Sequence, residues 1–217
     1  MTHPPKNPAY RQIDAWLAVV GSFLLHALIS YVLFPKLQTV FPQVSESTIW
    51  YISTIPIDLL PIIYLYFRCG PIGISDFSLK WMDFAVTLIS LCILAIAFSA
   101  VSLMVGYESI VPYQEISRIN GFEYLVTVFI LFLTGPFLEE ILFRKYIYEI
   151  FRNRYGSLIA FFAVATVETL THIGYWNIGT LIVIFFSLMF LTLVYVKTRL
   201  GASIIVHCII NIVMVCG

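Results

Sequence analysis

Glu139, Glu140 and Arg144 stand inside an otherwise apolar stretch, and two further polar groups, Glu168 with His172 and His207 with Asn211, interrupt the apolar segments that follow. A charged side chain at mid-bilayer costs about 2.5 to 3.5 kcal/mol on insertion scales, so three together call for partners, a water-filled cavity or a function. Glu140 and Arg144 are four residues apart and stack on one helix face, with the carboxylate amino-terminal to the cation, the favourable order. Glu139 is turned about 100° away around the axis. It has no such cation, which makes it the free carboxylate and the candidate general base. The bland alternative is an ionic clasp between helices. His207 and Asn211 also share a face, and an imidazole and a carboxamide can together donate hydrogen bonds to an oxygen on which charge develops. A lone intramembrane histidine more often serves helix packing; two of them with a free carboxylate point to catalysis.

These residues can meet only if the chain folds back between them. The midpoint between Glu139 and His172 falls at Tyr155 and Gly156, a turn signal, and an antiparallel hairpin there puts both at one height. His207 enters beyond the Gly201 turn, roughly 10 Å deep at helical rise. Agreement of level then requires the Gly156 turn to protrude from the membrane, where Lys145, Arg152 and Arg154 would place it. Pro136, beside Gly135, removes a backbone donor one turn after Phe132 and predicts a kink just before the acidic pair, of the kind tolerated where it lines a polar cavity. The first three spans offer little comparable apart from His26 and Asp58, so function is expected in the carboxyl-terminal half.

The solvent of these helices is lipid. Sixty per cent of the 217 residues are hydrophobic and 11% charged, with a mean hydropathy of +0.95, whereas soluble domains carry about 25% charged residues. Spans of about 20 apolar residues are predicted near 15–34, 49–67, 84–106, 122–143, 158–176, 180–196 and 202–216, an all-α polytopic membrane protein of about seven transmembrane helices. Ten lysines and arginines (Lys6, Arg11, Arg68, Lys80, Arg144, Lys145, Arg152, Arg154, Lys197, Arg199) fall on one side and two (Lys36, Arg118) on the other. That asymmetry predicts a cytoplasmic amino terminus in a multi-pass cell-membrane protein. The tail 1–14 reads as a solvated segment and not a cleavable signal. The whole chain is expected to form one membrane domain, with accessory helices over 15–106 and a four-helix core over 122–216. Formal net charge is zero, which argues against nucleic acid as a partner. Cys69, Cys92, Cys208 and Cys216 lack metal-ligand spacing and read as packing residues.

With these residues in view, the chain resembles the CPBP, or Abi, family of intramembrane endopeptidases, which includes the CAAX-processing endopeptidase of eukaryotes and bacterial bacteriocin-processing or self-immunity proteins. The family pattern is Glu-Glu-x-x-x-Arg, then a His four after a Phe, then His-x-x-x-Asn; here it falls on Glu139 to Arg144, His172, and His207 with Asn211, over roughly 122–216. One position departs: Glu168 stands where the family has Phe, so this extra carboxylate either orients His172 or marks a degenerate second motif. The resemblance implies peptide hydrolysis without a covalent intermediate. Glu139 with His172 would activate a water, His207 and Asn211 would hold the oxyanion, and Arg144 would keep Glu140 in register. It implies no metal and no cofactor, and a peptide or membrane-anchored protein as substrate: a prenylated carboxyl terminus, or a secreted or bacteriocin-type precursor. Two other classes fit the residues. One is a metal-dependent intramembrane protease drawing ligands from Glu139, Glu168, His172 and His207. The other is a non-catalytic immunity, scaffold or transport protein whose buried polar groups give specificity or a proton path.

Overall fold

The computed structural model describes residues 8–81, 83, 85–89, 91–93, 96, 121–172 and 178–216. Six apolar helices account for most of them: α1 (Gln12–Val40), α2 (Glu46–Cys69), α3 (Gly121–Tyr155), α4 (Ser157–Thr171), α5 (Ile178–Lys197) and α6 (Leu200–Cys216). No strand occurs among the described residues, and the protein is an all-α polytopic membrane protein. Helices α1, α2, α3 and α5 are long and apolar enough to cross a bilayer. The span predicted over 84–106 lies largely outside the described residues.

Local sequence sets the helix ends. The Ser45 hydroxyl accepts the Thr48 N–H at 3.3 Å and opens α2. Gly156, at φ +84°, makes the turn between α3 and α4 in a conformation that side-chain-bearing residues rarely adopt. That turn is the hairpin the sequence predicts. Helix α4 has 15 residues, a rise of about 22 Å against a hydrocarbon core of about 30 Å. It ends at Thr171, short of the predicted 176, because His172 leaves the helix with φ −95° and ψ −3°.

Helix α3 is where the α period fails. It passes through π-helical turns at Ile130–Thr134 and again at Glu140–Tyr148. The first precedes Pro136, whose missing N–H and ring would disrupt an ordinary α turn, and the Gly135 N–H reaches back to the Ile130 carbonyl. The expected disturbance before the acidic pair therefore takes the form of a widened turn, a feature often found at functional sites.

Packing places that segment at the centre. Leu142 and Ile147 are fully buried, and Ile141, Phe143, Tyr146 and Tyr148 nearly so; they pack against Ala15, Ala18 and Val19 of α1, Leu65 of α2, Val164 of α4 and Leu200 of α6. A second cluster joins Ala165 of α4 to Leu188 and Leu191 of α5 and Ala202 and Val206 of α6. Small residues at these crossings allow close backbone approach, which drives helix association in lipid. Leu24, Phe67, Leu125, Leu158 and Phe186 point outward and are exposed, as a lipid-facing surface requires.

Two further ties fix the level of the acidic pair. Helices α2 and α3 run parallel, joined by the Ser45 N–H to Glu123 at 2.9 Å, by the Thr48 and Thr127 hydroxyls at 2.9 Å, and by the Tyr146 hydroxyl to the Gly70 carbonyl at 3.1 Å. A 3₁₀ turn, Ile74–Phe77, packs against the start of α6, where a Cβ on Gly201 would lie 2.5 Å from the Phe77 carbonyl oxygen. Only glycine permits that approach.

Candidate active site

The polar residues of α3, α4 and α6 converge, with partners that differ from the simplest expectation. Arg144 is fully buried, and its Nη1 lies 2.6 Å and 2.5 Å from the two carboxylate oxygens of Glu168. Its approach to Glu140 is longer, 3.3 Å, and Nη2 donates to the Leu188 carbonyl on α5 at 3.3 Å. Glu140 instead accepts from Nδ1 of His207 at 2.9 Å. The expected pairing of Arg144 with Glu140 is present at 3.3 Å but is shared: the guanidinium lies closer to Glu168 of α4, and the same Glu140 oxygen also meets His207. Glu168 and Arg144 each stand twelve residues from Gly156, so the hairpin symmetry that levels Glu139 with His172 equally sets Arg144 opposite Glu168.

Glu139 differs from its neighbour in what it faces. Its side chain is 26% exposed while those of Glu140 and Glu168 are fully buried, and its carboxylate lies 3.5 Å from Nε2 of His207. One imidazole therefore stands between two carboxylates. Glu140 accepts the Nδ1 hydrogen, and Nε2 faces the Glu139 carboxylate.

His172 and Asn211 stand apart from this pair. Nδ1 of His172 lies 2.9 Å from the Glu168 carbonyl, an acceptor only, so Nδ1 carries a hydrogen. The end of α4 explains the placement, since its last carbonyls lack helical partners and the imidazole satisfies one of them. No ion pair joins His172 to Glu139 among the described residues. Asn211 donates to the Leu131 carbonyl at 3.0 Å, within the π turn of α3.

Two residues of the amino-terminal half reach this layer. Asp58 of α2 is within electrostatic range of Glu139 and Glu168, and His26 of α1 is within range of His172. His26 also packs edge-on against Trp50 at 5.9 Å. These are the two polar exceptions that the sequence showed in the first three spans. The available signal was their rarity as polar residues in apolar spans. Among the described residues, no three His, Cys, Asp or Glu side chains are grouped so as to hold a metal ion.

Glu139, Glu140, Arg144, Glu168 and His207 thus form one buried polar network, with His172 and Asn211 engaged on backbone carbonyls. Residues 120–213 match the family model described as Rce1-like, type II CAAX prenyl endopeptidase Rce1-like. No curated protein and no solved structure matches the chain.

Proposed function

From the membership of residues 120–213 in the type II CAAX prenyl endopeptidase family, we propose that this protein is an intramembrane endopeptidase in which Glu139 is the general base. The observation that carries the proposal is the His207 imidazole held between Glu140 at 2.9 Å and Glu139 at 3.5 Å. The pair is buried on the Glu140 side and partly open on the Glu139 side.

In this account a water beside Glu139 loses a proton to that carboxylate as its oxygen attacks the scissile carbonyl carbon. Nε2 of His172 accepts the second hydrogen of the water and orients it. Charge develops on the carbonyl oxygen and is met by Nε2–H of His207, whose protonated form Glu140 supports through Nδ1. The Asn211 amide joins it by exchanging the Leu131 carbonyl for the substrate oxygen. Collapse breaks the C–N bond, and the proton held by Glu139 passes to the departing amine, giving a carboxylic acid and an amine with no covalent enzyme intermediate. Closing the remaining distances on substrate binding is ordinary for such sites, where catalytic hydrogen bonds tighten in the complex.

The basic end of the bundle supports a cytoplasmic assignment for the Gly156 turn. There Lys145 pairs with Asp76 at 2.8 Å and Arg199 donates to the Ser75 carbonyl at 3.1 Å. The substrate in this account is a peptide or membrane-anchored segment presented from the lipid. The test is a comparison of peptides released from membranes holding the wild-type protein or Glu139→Ala at equal abundance, with a farnesylated carboxyl-terminal peptide among the added candidates. Cleavage products present only with the wild type support the assignment; equal product from both overturns it.

A further inference from the structure

Glu168 departs from the family pattern and sits where a Phe is expected, yet it is fully buried and makes the shortest ion pair of the site. We propose that Glu168 is a positioning residue that draws Arg144 away from Glu140, so that Glu140 is left to orient His207. This inference rests on the endopeptidase reading for its catalytic meaning, but its structural content can be tested without activity.

The geometry divides one guanidinium unequally between two carboxylates. Charge-assisted N–H···O bonds run about 2.7 to 2.9 Å. The Arg144–Glu168 contacts at 2.5 and 2.6 Å are at least that short, while the Arg144–Glu140 approach at 3.3 Å is not. Arg144 Nε and Glu140 Oε2 have no hydrogen-bond partner among the described residues. The two groups therefore have unused capacity to close on each other, as neighbours four apart on one helix ordinarily do. What they forgo is matched elsewhere: Glu168 takes the guanidinium, and the Glu140 carboxylate takes Nδ1 of His207 at 2.9 Å.

Residue 168 also organises its own helix end. Its carbonyl accepts from Nδ1 of His172 at 2.9 Å and from the Thr171 hydroxyl at 2.6 Å. A single residue thus anchors the arginine through its side chain and one imidazole through its backbone. A substitution that leaves the backbone alone removes only the first function. Within a low-dielectric interior the loss of the Glu168 charge leaves Glu140 as the nearest carboxylate on Arg144, and the pull between them is strong. Glu140 then turns from His207 and the imidazole loses its orientation.

The experiment reads the Nδ1–H resonance of His207 by ¹⁵N-histidine NMR of the full chain in lipid nanodiscs. The chain has four histidines, and the resonance is assigned by its disappearance in His207→Gln. The wild type should show a downfield, carboxylate-bonded Nδ1–H. In Glu168→Gln that signal should move upfield or be lost to exchange, and kcat should fall by about 100-fold with KM little changed, as misplacement of a reacting group does. In the double variant Arg144→Met/Glu168→Met, where no guanidinium competes for Glu140, the signal should return. The double replacement removes the short Arg144–Glu168 pair as a unit and leaves Glu140 with Nδ1 of His207 as its partner, so the folded fraction of this arm reads the orientation of His207 without the guanidinium. A Glu168→Gln protein with an unshifted His207 resonance, or a folded double variant without it, overturns the proposal. Neither outcome bears on whether the protein is a peptidase, which the Glu139→Ala comparison decides.

Discussion

Two arginines in this protein face carboxylates across helices, and their settings are opposite. Arg68, at the end of α2, bonds Asp14 of α1 at 2.9 Å with its side chain 43% exposed, and Tyr64 donates to the same Asp14 oxygen at 2.6 Å. Arg144 is fully buried, between Glu140 and Glu168. When this pair is broken the exposed Arg68 can be hydrated, and the buried Asp14, 5% exposed, keeps the Tyr64 hydroxyl as a partner, so the tie of α1 to α2 is only partly lost. The buried network sacrifices the solvation of three charges, and an apolar replacement would pack as well or better. A bundle built for stability alone has no use for the second arrangement. On the proposed function, the difference between the two regions sets a site at Arg144 against a scaffold contact at Arg68.

The comparison breaks most decisively at Glu139. Glu139→Ala removes the proposed base and should lower peptide release by about 10² to 10⁴-fold, measured against equal amounts of folded protein. Arg144→Met should act on the fold, since it leaves Glu140 and Glu168 buried without their cation; a loss of about 3 to 5 kcal/mol would appear as reduced folded yield and a lower unfolding temperature. Asn211→Ala should leave the fold intact and cost about 10² to 10³-fold in turnover, with the helix contact to Leu131 lost but the imidazole pair unchanged. Smallest of all, Arg68→Gln, which leaves Tyr64 on the buried Asp14, should lower the unfolding temperature less than Arg144→Met does and leave peptide release nearly unaltered; a larger effect there would erase the contrast between the two regions. Product release that disappears after chelation and dialysis and returns only with added metal would shift the mechanism to the metal-dependent alternative.

Much of this was legible in the residues. Apolar length gave the helices, Gly156 gave the hairpin, and the rarity of charge in lipid singled out Glu139, Glu140, Arg144, Glu168, His172, His207 and Asn211. The Glu140–Arg144 pair was legible from its i,i+4 spacing, but its cross-helix partners Glu168 and His207 were not, because they depend on how α4 and α6 pack on α3. A proline at 136 signals disruption but not its form, and a π turn redirects every side chain beyond it. His172 escaped for another reason: it caps α4 instead of extending it, a choice made by unpaired carbonyls that hydrophobic periodicity does not register. Asp58 and His26 were visible as polar exceptions, but their approach to the site depends on the parallel packing of α2 on α3, fixed by contacts far from either residue in sequence.

The central claim is that a partly open Glu139 carboxylate, faced by an imidazole oriented from its buried side, removes the proton from an attacking water. The most direct measurement is peptide release by purified wild-type and Glu139→Gln proteins in the same lipid, since glutamine keeps the shape and removes the basicity. The account predicts product from the wild type and none above background from Glu139→Gln; equal rates from the two would contradict it.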